Sequence, residues 1–359
     1  MIGQNYNAEG WRRLIGVAFL LLTPAVAADA QIVESVGSRA LGMGGAFVAV
    51  ASDSTATWWN PAGLAAGPFV DIGWGRDRIE LTEQPPAWRH KTSWFTLGTP
   101  PIGLSYYRFR ITDVQPLAAT APVGGSRQLG QLERGDAPVQ SVALSQLGVT
   151  IVRTLISGVH VGTTLKRLRG IRRTGPLDSA ASDSATALSA ALEQGEALES
   201  GDAESRFDLD VGLIAVAGPL RLGAAIRNVR EPEFFTAGSG SDALATGMQL
   251  PRQVRVGAAF DGAAVGSIPL TVAVDADLQT YVTGSGERRM IALGAEQWIL
   301  GRRVGVRVGG RVNTRGARES VATAGLSVAA GGGLFLDGHV VRGGIEDERG
   351  WGLATRISF

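Results

Sequence analysis

The sequence predicts an all-β fold: a transmembrane antiparallel β-barrel of about 14 strands with an N-terminal plug, or hatch, segment. Three observations lead to this prediction. Many segments alternate between apolar and polar residues, the connections between them are consistently short on one side only, and the chain begins with an export signal. Together they are typical of outer-membrane barrels, which have short turns at one end and longer loops at the other.

The composition excludes several other classes of protein. The chain has 359 residues, 50 glycines, a formal net charge of +1 and no cysteine. Neither disorder nor a basic nucleic-acid-binding domain fits these values, so no nucleic acid partner is expected. Without cysteine there is no disulfide framework and no thiolate metal site.

Residues 1–30 form the predicted signal peptide. Arg12 and Arg13 supply a short positive region, and residues 14–27 are apolar but too few to span a bilayer. The small residues Ala28-Asp29-Ala30 give a cleavage pattern, with cleavage expected after Ala30 and Ala27 as the alternative. A twin-arginine signal is the less favoured interpretation, because the other residues of that motif are missing.

Alternation with a period of two marks the strands of a predicted barrel over residues 69–359. In residues 303–313 four valines share one face, whereas Arg303, Arg307, Arg311 and Asn313 share the other. About 14 such segments follow the signal peptide. They lie near residues 69–81, 88–98, 101–112, 139–154, 158–171, 206–217, 219–229, 252–263, 268–281, 287–299, 302–313, 319–330, 333–343 and 349–359.

The connections between the predicted strands differ in length between the two ends of the barrel. Those after even-numbered strands are tight, as at residues 98–100 and 217–219, whereas residues 113–138, 172–205 and 230–251 are long. Short turns on the periplasmic side and long loops outside are typical of outer-membrane barrels, so both termini are expected in the periplasm. A soluble sandwich or propeller is the alternative, but it has no reason to keep one end short.

The charged faces of these strands are expected to line the lumen, because an unpaired cation at mid-bilayer on the lipid face costs about 2–4 kcal/mol. Glycines on these faces (Gly212, Gly223, Gly257 and Gly305) are expected to leave room for long arginines or to permit barrel bending. Two interpretations stay open: the charges brace the wall by neutralising one another, or they line a path for ions or polar solutes. The candidate lumen residues are Asp208, Asp210, Arg221, Arg227, Arg255, Asp275, Asp277, Glu296, Arg307 and Arg356.

Residues 31–68 are predicted to fold inside the barrel as a hatch. They are small and apolar, which disfavours disorder, and they are too numerous for a simple linker. Gly42, Gly44 and Gly45 allow the backbone to bend and pack closely, and Asn60-Pro61 favours a fixed turn.

The chain ends in "WGLATRISF", with Trp351, Leu353, Ile357 and Phe359 on one face. This ending resembles the terminal-strand signal that the barrel-assembly machinery recognises in outer-membrane proteins. That machinery and outer-membrane lipid are therefore expected partners.

No enzymatic site is expected. The histidines His90, His160 and His339 lie far apart, and neither a nucleophile elbow nor a zinc-protease motif is present. No cofactor and no metal site are predicted. Within the long connection 172–205, "SATALSAALEQGEALES" can form a short surface helix, and the segment as a whole is expected to be a mobile external loop.

The run "RALGMGGAFVAVASDSTATWWNPAGLA" closely resembles the N-terminal signature of the FadL-type outer-membrane transporter superfamily, including its PorV and PorQ relatives. The segments "LPRQVRVGAAF" and "MIALGAEQWIL" are similar to later parts of the same superfamily. The resemblance implies a 14-stranded barrel with a luminal hatch, in the outer membrane of a Gram-negative-type bacterium. It assigns the Asn-Pro-Ala element to Asn60, Pro61 and Ala62, and an upstream acidic position to Asp53.

Two functions remain open under this resemblance. FadL-type members imply passive transport of small hydrophobic molecules, such as fatty acids or hydrocarbons, past the hatch. PorV-type members imply a non-enzymatic barrel that serves protein secretion or cell-surface attachment, with an exported protein as partner. The spacing is nearer the PorV branch.

Overall fold

The computed structural model describes residues 35–82, 87–114, 138–176, 185–197, 203–234, 248–266, 268–283, 286–317, 319–343 and 348–359. The predicted signal peptide and most of the predicted loop 113–138 lie outside the described residues.

Fourteen antiparallel strands form a closed barrel, which confirms the predicted fold class. Each strand pairs with its neighbour, and β1 pairs with β18 to close the ring. The barrel strands are β1 (Asp71–Leu81), β2 (Ala87–Gly98), β3 (Ile102–Val114), β4 (Pro138–Ile156), β5 (Val159–Pro176), β6 (Glu204–Ala217), β7 (Leu220–Arg227), β10 (Gln253–Asp261), β11 (Leu270–Asp277), β14 (Met290–Ile299), β15 (Val304–Asn313), β16 (Ser320–Gly331), β17 (Leu334–Gly343) and β18 (Arg349–Ser358). Two short hairpins lie between them: β8 (Glu233–Phe234) with β9 (Met248–Gln249), and β12 (Tyr281–Thr283) with β13 (Gly286–Arg288).

The alternating pattern determines which side of the wall each residue faces. On β15, Val306 and Val308 are 41% and 58% exposed on the outer surface, whereas Arg307 between them is 1% exposed and faces the lumen. This is the predicted register, and it follows because successive side chains of a strand point to opposite faces. Arg303 is an exception to the predicted row, since it lies exposed in the turn before β15.

The two ends of the barrel differ as predicted. We call the end with the tight connections, such as residues 156–159, 217–220 and 331–334, the short-turn end. The opposite, long-loop end carries the connections 114–138, 176–204 and 227–253. β1 begins and β18 finishes at the short-turn end.

Three α-helices are described: α1 (Ser38–Gly42), α2 (Ala56–Trp59) and α3 (Ala185–Ala197), together with a 3₁₀ helix over Pro61–Ala66. Within the described ranges, none of the helices is both long and apolar enough to cross a membrane.

Helix α3 confirms the predicted surface helix, and these residues pack against the barrel, whereas the expectation of a mobile loop stays a prediction. Leu192 is completely buried in a cluster with Ala87, Val114 and Val139. These residues face outward at the long-loop end of β2, β3 and β4, so α3 packs against the outer wall of the barrel. Apolar burial together with ion pairs from β2 to Glu196 fixes the helix there.

Candidate functional site

The N-terminal residues 35–66, here called the luminal segment, lie inside the barrel. Their large side chains are removed from solvent: Leu41, Met43 and Phe47 are each 0% exposed, and Trp58 is 2% exposed. The segment contacts inward residues of strands on both sides of the lumen, including β16 and β17 through α1 and β5 and β6 through the 3₁₀ helix.

Two consecutive glycines reverse the chain after α1. Gly44 and Gly45 have φ values of +69° and +86°, a backbone region that side chains with a Cβ rarely adopt. The Gly45 amide donates to the Ala40 carbonyl at 2.9 Å and so satisfies one of the free carbonyls at the helix end. Gly42 lies against the backbone of Gly325 on β16, where an added Cβ would be 3.0 Å from its Cα.

Asn60 connects the luminal segment to the wall. Its Nδ2 donates to the carbonyls of Val48 at 2.8 Å and Leu213 at 3.0 Å, so one amide links two parts of the segment and strand β6. Its Oδ1 accepts from the amide of Ala62 at 3.2 Å, which caps the 3₁₀ helix that Pro61 begins. The Asn-Pro-Ala element is therefore a capped turn held against the barrel.

A buried ion-pair network ties α1 to β14 and β15. The Arg39 guanidinium donates to Glu296 through Nε at 2.9 Å and Nη2 at 2.7 Å, and through Nη1 to Ser52 at 3.0 Å and Asp53 at 3.3 Å. Glu296 also accepts from Arg307 Nε at 2.7 Å. One wall carboxylate is thus shared between an arginine of the segment and an arginine of the wall.

The charges of this network control the ionisation of Asp53. Burial by itself raises the pKa of Asp53, but the charges of Arg39 and Arg356, with hydrogen bonds from Thr55 and Arg39, lower it below its ordinary value. Burial likewise lowers the pKa of Arg39, yet Glu296 and Asp53 outweigh this effect and raise it above its ordinary value. Both groups are therefore charged at neutral pH.

Wall carboxylates also accept backbone amides of the segment. Asp275 accepts from the amides of Phe47 at 2.7 Å and Val48 at 2.8 Å. Asp71, at the start of β1, accepts from the amide of Ser54 at 2.9 Å. Such charge-assisted bonds satisfy amides that would otherwise be buried without a partner.

The other candidate lumen residues form ion pairs or ring contacts along the wall. Towards the long-loop end, Lys166 lies 2.6 Å from Asp210 and 3.3 Å from Asp208. Arg255 pairs with Asp277 at 2.8 Å, and the Arg227 guanidinium lies 3.6 Å from the ring centre of Trp58. At the short-turn end Arg221 pairs with Asp261 at 2.5 Å, and Arg356 lies 3.5 Å from Asp71 and 3.6 Å from Asp337.

Sequence reasoning missed several members of this lining, namely Asp71, Asp77, Lys166 and Asp337. Asp77 accepts from Trp94 Nε1 at 2.8 Å and from the Gly37 amide at 3.4 Å, so it also holds the segment. The signal was available, because Asp71 and Asp77 alternate with Ile72 and Trp74 in the first strand.

Inward glycines of the wall form notches that receive the luminal segment. Gly162 faces Gly212 across β5 and β6, and a Cβ at either position would overlap Asn60 or Pro61. Facing pairs recur where Gly223 and Gly257 meet Val48 and Ala49, and where Gly294 and Gly309 meet Met43. The expectation that glycines make room for arginines is therefore wrong for Gly212, Gly223 and Gly257; Gly305 lies against Trp298 instead.

A buried aromatic cluster joins the segment to strand β3 of the wall near the long-loop end. Trp58 contacts Tyr107 and Phe109 at ring-centre distances of 5.0 and 4.9 Å, and Thr57 and Tyr107 share a hydrogen bond of 2.6 Å. A cavity of about 10 Å³ lies beside Trp58; its lining includes Leu144, Gln146, Arg227 and Leu250. That volume accommodates about one water molecule.

The barrel is similar in fold to solved bacterial transporter and channel barrels. The toluene transporter TbuX of Ralstonia pickettii has a TM-score of 0.61 at 14% identity, covering 91% of this chain and 99% of that one. A FadL homologue of Pseudomonas aeruginosa has a TM-score of 0.58 at 10% identity, covering 91% and 98%. The monoaromatic hydrocarbon channel CymD has a TM-score of 0.57 at 13% identity, covering 90% and 98%. At these identities the likeness shows the fold.

A protein-family model matches only part of the sequence. A family model described as "F plasmid transfer operon, TraF, protein" matches residues 127–277, less than half of the chain. The sequence has no significant match among curated proteins. Two of these similar structures are described as a toluene transporter and a monoaromatic hydrocarbon channel.

Proposed function

We propose that this protein is an outer-membrane barrel that passes small hydrophobic molecules, of the fatty-acid or hydrocarbon type, without energy input, and that the luminal segment is its hatch. The observation that carries the proposal is the way the segment is held. Polar anchors and glycine notches of the wall bind it inside the lumen, and the strand ladder closes without it. A plug that is not part of the wall can shift while the barrel stays intact.

The chemistry of the lining favours binding at the long-loop end over passage along the axis. An apolar molecule that crossed the whole lumen would have to displace paired charges such as Arg39 and Glu296, which costs more than its burial returns. At the long-loop side, Trp58, Tyr107 and Phe109 are buried against one another, at most 2% exposed, and a shift of the segment would open this aromatic cluster to an apolar ligand. Contact with Trp58 then bears directly on the hatch, since Trp58 belongs to it.

A PorV-like barrel that serves protein secretion is the second candidate. The number of anchors favours it, because Arg39, Asp275, Asp71 and Asn60 hold the segment at well-separated points of the wall. A segment held so firmly suits a permanently closed barrel whose outer surface binds an exported protein.

Deletion of Gly42–Leu64 tests both proposals. The wall ladder does not include these residues, so the barrel should still insert, show heat-modifiable migration, and conduct small ions more readily in planar bilayers. Under the transport proposal, uptake of a labelled hydrophobic substrate changes as well. Unchanged uptake with defective export of surface proteins would instead support the secretion candidate.

The control is the double variant Asn60→Ala/Pro61→Ala. It loosens the capped turn without removing the bulk of the segment, so its conductance should rise less than that of the deletion. Unchanged conductance after a complete deletion, with insertion confirmed, would refute the hatch.

A further inference from the structure

The outer surface of the barrel is electrically divided into two halves. The outward positions of the described strands β6, β7, β10, β11, β14, β15 and β16 carry no charged residue. On the other half, the outward positions of β1, β2, β3, β5, β17 and β18 carry arginines, a lysine and Glu80 towards the long-loop end. Contact with hydrocarbon alone does not explain why one half of the outer surface is charged and the other is not.

One row of directly opposite positions on that half alternates arginine with serine over six neighbouring strands. We call it the arginine row. It runs from Arg76 to Ser93, Arg108, Ser145, Arg169 and Ser205, each residue being the direct cross-strand partner of the next. Successive arginines are two strands apart, about 10 Å.

These three arginines have no acidic partner among the described residues. Arg76, Arg108 and Arg169 are all exposed on the outer wall. The adjacent row, two residues nearer the loops, is different. There Arg78 pairs with Glu80 at 2.7 Å and Lys91 with Glu196 of α3 at 2.5 Å.

Arg110 of that adjacent row also binds α3, through the Glu196 carbonyl at 2.5 Å. Like charges directly opposite one another on neighbouring strands are destabilising. In the adjacent row Lys91 lies opposite Arg110, and Glu196 of α3 accepts from both side chains. The arginine row lacks such acceptors and therefore offers its cations to an external anion.

The aromatic residues just below the row place it at a membrane surface. Two positions nearer the short-turn end, Trp74, Phe95 and Tyr106 are cross-strand partners and are 44%, 48% and 45% exposed. Aromatic rings of barrels mark the boundary between hydrocarbon and headgroups, and outward cations are tolerated at this depth and beyond it. Strand tilt makes the row oblique, so that its members meet the headgroup layer at successive depths.

We propose that the arginine row binds the phosphate groups of an anionic glycolipid in the outer leaflet, one whose saccharide headgroup carries more than one phosphate. The guanidinium fork binds phosphate through two parallel hydrogen bonds, and the intervening serine hydroxyls suit sugar hydroxyls and phosphate oxygens. Three arginines spread over about 20 Å exceed the reach of a lipid with a single phosphate. The inference goes beyond the transport proposal and requires only that the long-loop end faces the outer leaflet.

Binding of a defined lipid to the purified full-length barrel tests this site. The probe is an acylated glucosamine disaccharide with two phosphates, compared with the same lipid after phosphate removal, and with inorganic phosphate as competitor. The variant is Arg76→Gln/Arg108→Gln/Arg169→Gln. The matched control is Arg153→Gln/Arg302→Gln/Arg303→Gln, which removes three exposed arginines near the short-turn end.

Each cation near an anionic lipid surface contributes about fivefold to binding, so the row variant should bind the bisphosphorylated lipid roughly a hundredfold more weakly. The control should bind it like the parent. The dephosphorylated lipid should bind the parent as weakly as the row variant binds the intact lipid, and millimolar inorganic phosphate should not displace the lipid.

Several outcomes would overturn the assignment: equal binding by the row variant and the parent, equal losses in the row variant and the control, phosphate-independent binding, or full displacement by inorganic phosphate. Heat-modifiable migration checks that each variant has folded. If the glutamine variant fails this check, Arg76→Lys/Arg108→Lys/Arg169→Lys keeps the charge and removes the forks. Weaker lipid binding by that variant supports the site, and unchanged binding contradicts it.

Discussion

Truncation of Arg39 to alanine should release the luminal segment while leaving the barrel wall intact. Arg39 makes four hydrogen bonds, two of them to Glu296 at 2.9 and 2.7 Å, and its side chain is 15% exposed. Removing one partner of a buried ion pair costs about 3–5 kcal/mol. Glu296 keeps Arg307 and Asp53 keeps Thr55, which places the loss near the lower limit, about 3 kcal/mol.

A loss of that size raises the ratio of released to seated segment by about 150-fold. The assay is the labelling of a single cysteine, which is clean because the chain has none of its own. Val50→Cys is the reporter position, because Val50 is 2% exposed in the seated segment. In reconstituted barrel, Arg39→Ala should accelerate maleimide labelling of this cysteine by about two orders of magnitude.

The matched control is Arg153→Ala, which removes an exposed arginine of the outer wall and should leave the labelling rate unchanged. If Arg39→Ala labels at the parent rate while its heat-modifiable migration is normal, then the Arg39–Glu296 pair does not hold the segment.

Three further predictions concern the wall, the notches and pH. Val306→Arg should impair insertion, because a cation on the lipid face costs about 2–4 kcal/mol, whereas Arg307→Gln should still insert. Equal assembly of the two variants would show that the inward and outward faces of β15 are assigned wrongly. Gly212→Leu should fill the notch for Asn60 and raise ion conductance in planar bilayers. Gly266→Leu, in an open turn where nothing lies within 4 Å of an added Cβ, is its control, and equal conductance in the two variants would argue against seating at this point. The pKa of Asp53 is lowered in the seated segment, so the stabilisation it gives is present above about pH 4, the ordinary aspartate value, and is lost as pH falls through the lowered pKa. Open events should therefore become more frequent in acid, and Asp53→Asn should weaken this response; an identical acid response in both proteins would show that Asp53 is not involved.

The barrel could be predicted from sequence because its determinants are local and periodic. Each strand must alternate, since one face meets lipid and the other meets a polar lumen, and Val306 and Arg307 carry that information in adjacent positions. The same parity rule identified the inward charges, including Asp275 and Glu296, before their partners were known. Asp71 and Asp77 of the first strand follow the same rule.

Other features depend on contacts between residues far apart in sequence. Period and parity show that Gly212 and Gly223 face inward, but not that the luminal segment fills the space above them. The composition of α3 indicates a helix, whereas its position on the outer wall depends on Leu192 meeting residues of β2, β3 and β4.

The sequence by itself therefore determined the barrel, a strand number of about 14, the inward face of each strand and the inward position of its charges, because these follow from the chemistry of each residue and its immediate neighbours. Only the tertiary structure decided which charges hold the luminal segment, which glycines receive it, and that Arg76, Arg108 and Arg169 form one row. Closure of the ring brings together residues that are tens to hundreds of positions apart, such as Arg39 and Glu296, and no local pattern encodes which of many possible partners will meet.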